Sequence, residues 1–261
     1  MSLTSILSVA LLGSVTGQGT VVPVGQVSLP FLRNGSTPND ITSPLGNLTH
    51  IQTIELDYSG FSSFEGTVVS RGGSELLAVS TANARGELFD SASFVSLDLR
   101  RTRGGRFSVS EVKASPIRGS DGEEIFANAL GLAVRNGYRG NGRGDLRVVF
   151  QAFGDPSINL LRNGDIMIAL VVNSSLRIGY VTADELSDAI VSGRTLNPII
   201  IADLQRSEGF DIAHQQSLAV RESGGRIFVY STSRDTFFTE DGRRTLLITF
   251  EWIPKRDSRR R

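Results

Sequence analysis

Apolar residues return along this chain in short runs of strand length, alternating with polar ones and cut by glycine, and that rhythm constrains the fold more than any motif does. In an extended backbone successive side chains point to opposite faces, so such a run has one face to bury and one to leave in water. From His50 onward the pattern predicts strands over 51–58, 65–70, 75–80, 94–101 and 106–113. In the first of these, Ile51, Thr53, Glu55 and Asp57 share one face, and Gln52, Ile54, Leu56 and Tyr58 the other. Two Arg-Gly-Gly runs, Arg71 to Gly73 and Arg103 to Gly105, supply the positive-φ residues that tight hairpins need. A second series follows over 146–153, 165–172, 176–181, 198–204, 217–221, 226–232 and 245–252.

Two segments change period. Ile125, Phe126, Ala129, Leu130 and Ala133 lie at helical spacing and Gly137 offers a stop, so 123–136 predicts a helix followed by a mobile loop at 138–144. Thr182 and Glu185 form a capping box that opens a helix running to Ser192 and closed by Gly193. Many strands with two short helices predict an all-β protein, an antiparallel β-sandwich or jelly roll, rather than a parallel α/β sheet. The strands fall into two groups around 123–144, which predicts two jelly rolls in tandem, 45–122 and 145–253, before a basic tail at 254–261.

Residues 1–44 read as an extended arm, rich in glycine and proline, that pairs with a sheet edge of its own or of a neighbour. Its apolar run at 5–12 is too short to span a bilayer, and no basic residue precedes it. It reads as a signal-peptide core or as an ordered, membrane-touching segment.

Basic and acidic side chains balance at 27 each, so no overall field favours nucleic acid. All the basic residues except Lys113 and Lys255 are arginine, the residue suited to bidentate ion pairs and subunit contacts. With no cysteine, disulfides, thiolate metal sites and thiol nucleophiles are excluded.

The groups able to carry chemistry are scattered. Glu55 and Asp57 share a strand face, as paired carboxylates do in jelly-roll glycosidases, but Gly60 stands where a third would be wanted, and Trp252 is the only tryptophan. His50 and His214 have no serine or carboxylate motif beside them. The glycines at 140–144 precede a strand, whereas a phosphate loop opens a helix. Arg143, Gly144 and Asp145 spell an adhesion tripeptide, and Asn34, Asn47 and Asn173 head glycosylation sequons. Loop acids Asp40, Asp121, Glu123, Glu124, Asp155, Asp235, Glu240 and Asp241 are hard oxygen donors without calcium-loop spacing. The cluster Arg100, Arg101, Arg103 and Arg106 surrounds a hairpin turn. No catalytic, cofactor-binding or metal-ligating residue is assigned, and no enzyme is expected.

Residues 45–60, which follow the arm and include Leu48, His50, Gln52, Ile54, Leu56 and Tyr58, resemble the opening strand of the double-jelly-roll major capsid proteins of membrane-containing icosahedral phages, the corticovirus and tectivirus group. The strand, strand, short-helix order at 165–192 is similar to the start of that family's second barrel, and 246–252 to its closing strand. The resemblance implies a virion structural protein forming trimeric capsomers, with partners in itself, in other virion proteins and, through the arm, in an internal membrane. It departs from the family at 82–89, a poor candidate for the matching helix. On this reading, removing residues 1–44 abolishes assembly and leaves the β core folded. A phage tail or other surface assembly component, and an extracellular or cell-surface binding module of sandwich fold, are the alternatives.

Overall fold

The computed structural model describes residues 19–36, 40–57, 64–81, 92–102, 106–118, 122–124, 129–135, 138–140, 145–150, 157–172, 175–234 and 244–255. These residues form antiparallel sheets. Sheet I has five strands in the order β1-β8-β7-β6-β5, made of β1 (Thr20–Val22), β5 (Glu65–Val69), β6 (Glu75–Thr81), β7 (Ala92–Arg101) and β8 (Phe107–Pro116). Sheet II has six: the row β15-β16-β17-β4-β2 is built from β2 (Gly25–Leu29), β4 (Gly46–Asp57), β15 (His214–Ser223), β16 (Arg226–Arg234) and β17 (Thr245–Pro254), and β3 (Asp40–Ser43) also pairs with β4. Sheet III runs β11 (Ser157–Leu160), β12 (Ile166–Val172), β13 (Ser175–Val181) and β14 (Ile199–Gln205). A separate hairpin joins β9 (Ala129–Arg135) to β10 (Asp145–Phe150), and α1 spans Ala183–Ser192.

Sheet II is the middle of the stack, because its strands are apolar on both faces. Along β17, Leu246, Ile248, Phe250 and Trp252 enter one core with Met167, Leu176, Ile178 and Leu204 of sheet III. Leu247 faces the other way, into a core with Leu76, Val95, Leu97 and Val112 of sheet I. Strand β4 serves both cores through a register shift opposite Thr249 and Phe250. Leu48 faces sheet III, whereas Ile54 and Leu56, beyond the shift, face sheet I. A bulge inserts one unpaired residue and inverts every side chain after it, so one strand covers two cores. The amides of Gln26 and Gln52 cross to sheet I and act as surrogate strand partners, each accepting from and donating to the backbone of one β8 residue, Val109 and Phe107 respectively.

The outer faces are covered as well. On sheet III, α1 lies over Ile166, Ile168 and Val181 through Leu186. Its amino end is capped as the sequence predicts, with Thr182 Oγ1 accepting from Glu185 N at 3.2 Å, and Gly193 closes it at φ 68°. On sheet I, Leu132 and Val134 of β9 pack against Val68, Leu77 and Tyr138.

Expectations over 123–144 are corrected, and the arm pairs, as expected, with sheet edges of its own chain. The helix over 123–136 is replaced, within the described residues, by β9, whose Leu132 pairs with Val148 and Val134 with Leu146. Gly131 weakens the helical alternative, and the apolar floor of sheet I rewards alternation at Leu132 and Val134. The loop at 138–144 is anchored at its start, since Tyr138 is buried. The arm is not separable from the core: β1 pairs with β8, β2 and β3 pair with β4, and Phe31 is fully buried among residues of sheets II and III. Removing 1–44 would therefore strip the core itself. Strands from both halves of the chain meet in sheet II, where β4 pairs with β17 along its length.

Phe250, 0% exposed between sheets II and III, has no room to be replaced by solvent. Phe250→Ala is expected to cost about 3–5 kcal/mol, read as a lower denaturant midpoint at unchanged slope.

Candidate functional site

A cleft of about 610 Å³ opens where the terminal strands of the three sheets converge, β5 of sheet I, β15 of sheet II and β11 of sheet III, under the β9 backbone. Gly66 makes this geometry possible. It sits at φ 51°, and a Cβ there would lie 2.1 Å from Leu132 N, so only glycine lets β9 rest directly on β5. Val68 and Val69, Leu132 and Val134, Ile158 and Leu160, and Val220 make apolar walls.

The β5–β6 turn builds one rim. Ser70 Oγ accepts from Ser74 N and Glu75 N, both at 3.1 Å, and Gly73 N donates to Ser70 O at 2.8 Å. Arg71 N donates to Tyr138 O at 3.0 Å, and Tyr138 Oη donates to Glu75 Oε1 at 2.5 Å, which fixes the ring at the cleft edge. Opposite, Asn159 Nδ2 donates to Leu218 O at 2.7 Å and Arg162 N to Glu222 Oε1 at 2.7 Å, tying β11 and the turn after it to β15. Arg71 and Arg162 stand at the rim, and Arg221 lies deeper. The Arg221 guanidinium covers the Phe228 ring 4.3 Å from its centroid, and its Nε points at Tyr230 Oη from 3.4 Å. Gly73, at φ 69°, leaves the space for it, since a Cβ there would come within 2.6 Å of Arg221 Nε.

The residues singled out in the sequence lie elsewhere. Glu55 accepts a two-pronged contact from Arg244 Nε and Nη2, both at 3.1 Å. The same guanidinium binds Asp211 at 2.8 and 3.1 Å. Hydrogen bonds to Asp211, then to Glu55, hold Arg244 well above its ordinary range against the opposing effect of burial. This ion cluster joins β4, β17 and the segment before β15. Asp57 is exposed at the end of β4. His50 stacks on Phe31, ring centroids 4.2 Å apart and planes 6° apart, and shares a 2.9 Å hydrogen bond with Thr53 Oγ1. Burial, then the charge of Arg106, lowers its pKa to about 4 against a weaker opposing hydrogen bond to the Gln52 backbone.

Asp40 accepts from Thr49 Oγ1 at 2.5 Å, and Glu124 pairs with Arg118 at 2.9 Å. Asp121, Asp155, Asp235, Glu240, Asp241, Asn173 and the 141–144 glycine loop lie outside the described residues, as do 103–105 of the arginine turn. Asn34 caps an exposed turn, and Asn47 is exposed on β4. Among the described residues no group of three histidine or carboxylate side chains is placed to hold a metal ion, and no helix is long and apolar enough to cross a membrane.

The cleft itself has the makings of a binding surface: apolar walls, a cationic rim and the ends of three sheets. Sequence reading missed it because its walls come from four separate strands. One signal was present. Ala219 and Arg221 share the inward face of β15, and an arginine on such a face is out of place in a plain core strand.

Two outcomes are expected. Arg244→Met leaves Asp211 and Glu55 without their counter-ion and should cost about 3 kcal/mol in unfolding free energy. For His50, the unfolded chain takes up the proton before the folded one does, so its contribution is complete above about pH 6.5 and is lost as pH falls towards about 4. Unfolding free energies measured across that window should fall by up to about 1.4 kcal/mol per pH unit more steeply in the wild type than in His50→Phe.

Set against protein-family models, curated proteins and solved structures, the chain matches none of them.

Proposed function

We propose that the chain is a virion structural protein, a capsid subunit that associates as trimers into a closed shell. The observation that carries this reading is a set of large apolar side chains left outside a stack whose central sheet is already buried on both faces. On the α1 side of sheet III, Ile190 is 74% exposed and Val191 86%, and Ile200 of β14 is also open. Exposed apolar surface of this kind, on a protein with two filled cores, marks an association surface. A head-to-tail contact through one such face closes into a ring when its rotation fits, which is the requirement for a trimer.

The finer jelly-roll reading belongs to the same proposal. Two apolar cores, one on each face of sheet II, support two rolls packed about that shared sheet rather than following one another along the chain, and the adjacency of β4 and β17 supports a wrapped chain. The apolar run at 5–12 would be the part that touches a membrane, and other virion proteins would meet the shell. Engagement of Glu55 by Arg244 supports a non-enzymatic role, since that carboxylate is held by its neighbour. The cleft favours a second reading, a sandwich-fold binding module on a cell surface.

Light scattering with negative-stain microscopy on the full-length chain tests the proposal. Trimers or shells are expected, and Val191→Glu should reduce them to monomers at unchanged melting temperature, because Val191 makes no core contact. Tubes would favour a tail component instead, and a wild-type chain that stays monomeric would sink the shell reading.

A further inference from the structure

We propose that the cleft between β5, β9, β11 and β15 is a receptor for an extended peptide segment bearing a carboxylate among apolar side chains, with Arg221 as the group that binds the carboxylate. Arg221 is only 8% exposed, yet it reaches no carboxylate among the described residues. The contrast with its peers is sharp. Arg244 holds both Glu55 and Asp211, and Arg177 holds Asp203 at 2.6 Å, although both arginines are more exposed. A guanidinium keeps its charge in any protein setting and carries five N–H donors. Here one of them, Nε, faces Tyr230 Oη, and the ring of Phe228 lies beneath the plane. A buried cation so placed is costly unless an anion completes it, and the side that remains lines the cleft.

The surroundings specify the rest of the ligand. Glu222 is engaged by the backbone of Arg162 and Glu75 by the Tyr138 hydroxyl, and the exposed Arg162 adds positive charge at the rim. Val68, Leu132, Val134 and Leu160 offer apolar contact on either side of Arg221. Because β5, β11 and β15 each end a sheet, an extended backbone is the ligand shape that adds to them. Within this chain, residues 235–243 have that chemistry, with Phe237 and Phe238 followed by Glu240 and Asp241. They join β16 to β17 at the end of sheet II where Arg234 pairs with His214, whereas the cleft meets β15 at 220–222, about 20 Å away at strand rise.

A fluorescein-labelled synthetic peptide of residues 235–243 is the probe, titrated into the full-length protein and followed by anisotropy. Saturable binding is expected, weakened by salt and lost in Arg221→Met, with the unfolding midpoint of that variant no lower than wild type. Leu160→Glu, an exposed change on the wall, should weaken binding as well and guards against misfolding of the Arg221 variant. Binding that survives both substitutions, or no saturable binding, overturns the proposal. So does a drop in the Arg221→Met midpoint, which would make the arginine a structural residue. Dodecanoate is the control for a free long-chain anion, and binding of dodecanoate without the peptide also overturns it. Light scattering on the same samples separates this inference from the shell reading: a monomer that binds the peptide sustains only the cleft, and shells that ignore it sustain only the assembly.

Discussion

Everything in this molecule depends on a sheet that has no wet face. Sheet II must satisfy its backbone within itself and offer apolar side chains above and below, so its alternation is between two cores rather than between core and water. Several of the polar residues that enter it are paired, although Thr249 Oγ1 and Gln215 Nε2 are buried without a hydrogen-bond partner among the described residues. Ser231 Oγ donates to Gln215 Oε1 at 2.9 Å, and Ser233 Oγ links Leu246 N to Arg244 O across the β16–β17 pair. The Arg244 cluster does the same for charge at the rim of that sheet, drawing β4, β17 and Asp211 together with one guanidinium.

Much of this was legible in the sequence. The long strands announced themselves through alternation, and Thr182 and Gly193 marked α1 because capping chemistry is local. What failed was whatever depended on distant partners. The run Ala129–Arg135 carries apolar residues at spacings that suit both periods, and the floor supplied by Val68, Leu77 and Tyr138 decides between them. Strands β1, β2, β3 and β11 are too short to show a period, and they exist because a longer strand offers them an edge. Phe31 reads as part of a glycine-rich arm until the stacked ring of His50 is seen beneath it.

The cleft belongs to this second class. No stretch of sequence contains it, since Val68, Leu132, Leu160 and Val220 come from strands that meet only after three sheets have stacked. Terminal strands are usually blunted by charge or covered. Here side chains do part of that work, with Asn159 closing on Leu218 and Ser217 Oγ accepting from Thr67 N at 2.8 Å. The cleft lies among these contacts, and the buried guanidinium of Arg221 is part of its lining.

The pairing of β4 with β17 also sets the order in which the chain can fold. The two strands lie at opposite ends of the sequence, with Glu55 and Arg244 separated by 189 positions, and β17 is the inner strand against which both cores close. Contacts so far apart in sequence make closure slow. During synthesis neither core can be completed until the last strand has left the ribosome, so the nascent chain must carry two sets of unburied apolar strands for most of its elongation. Any chain cut short before residue 245 lacks the strand that both layers rest on.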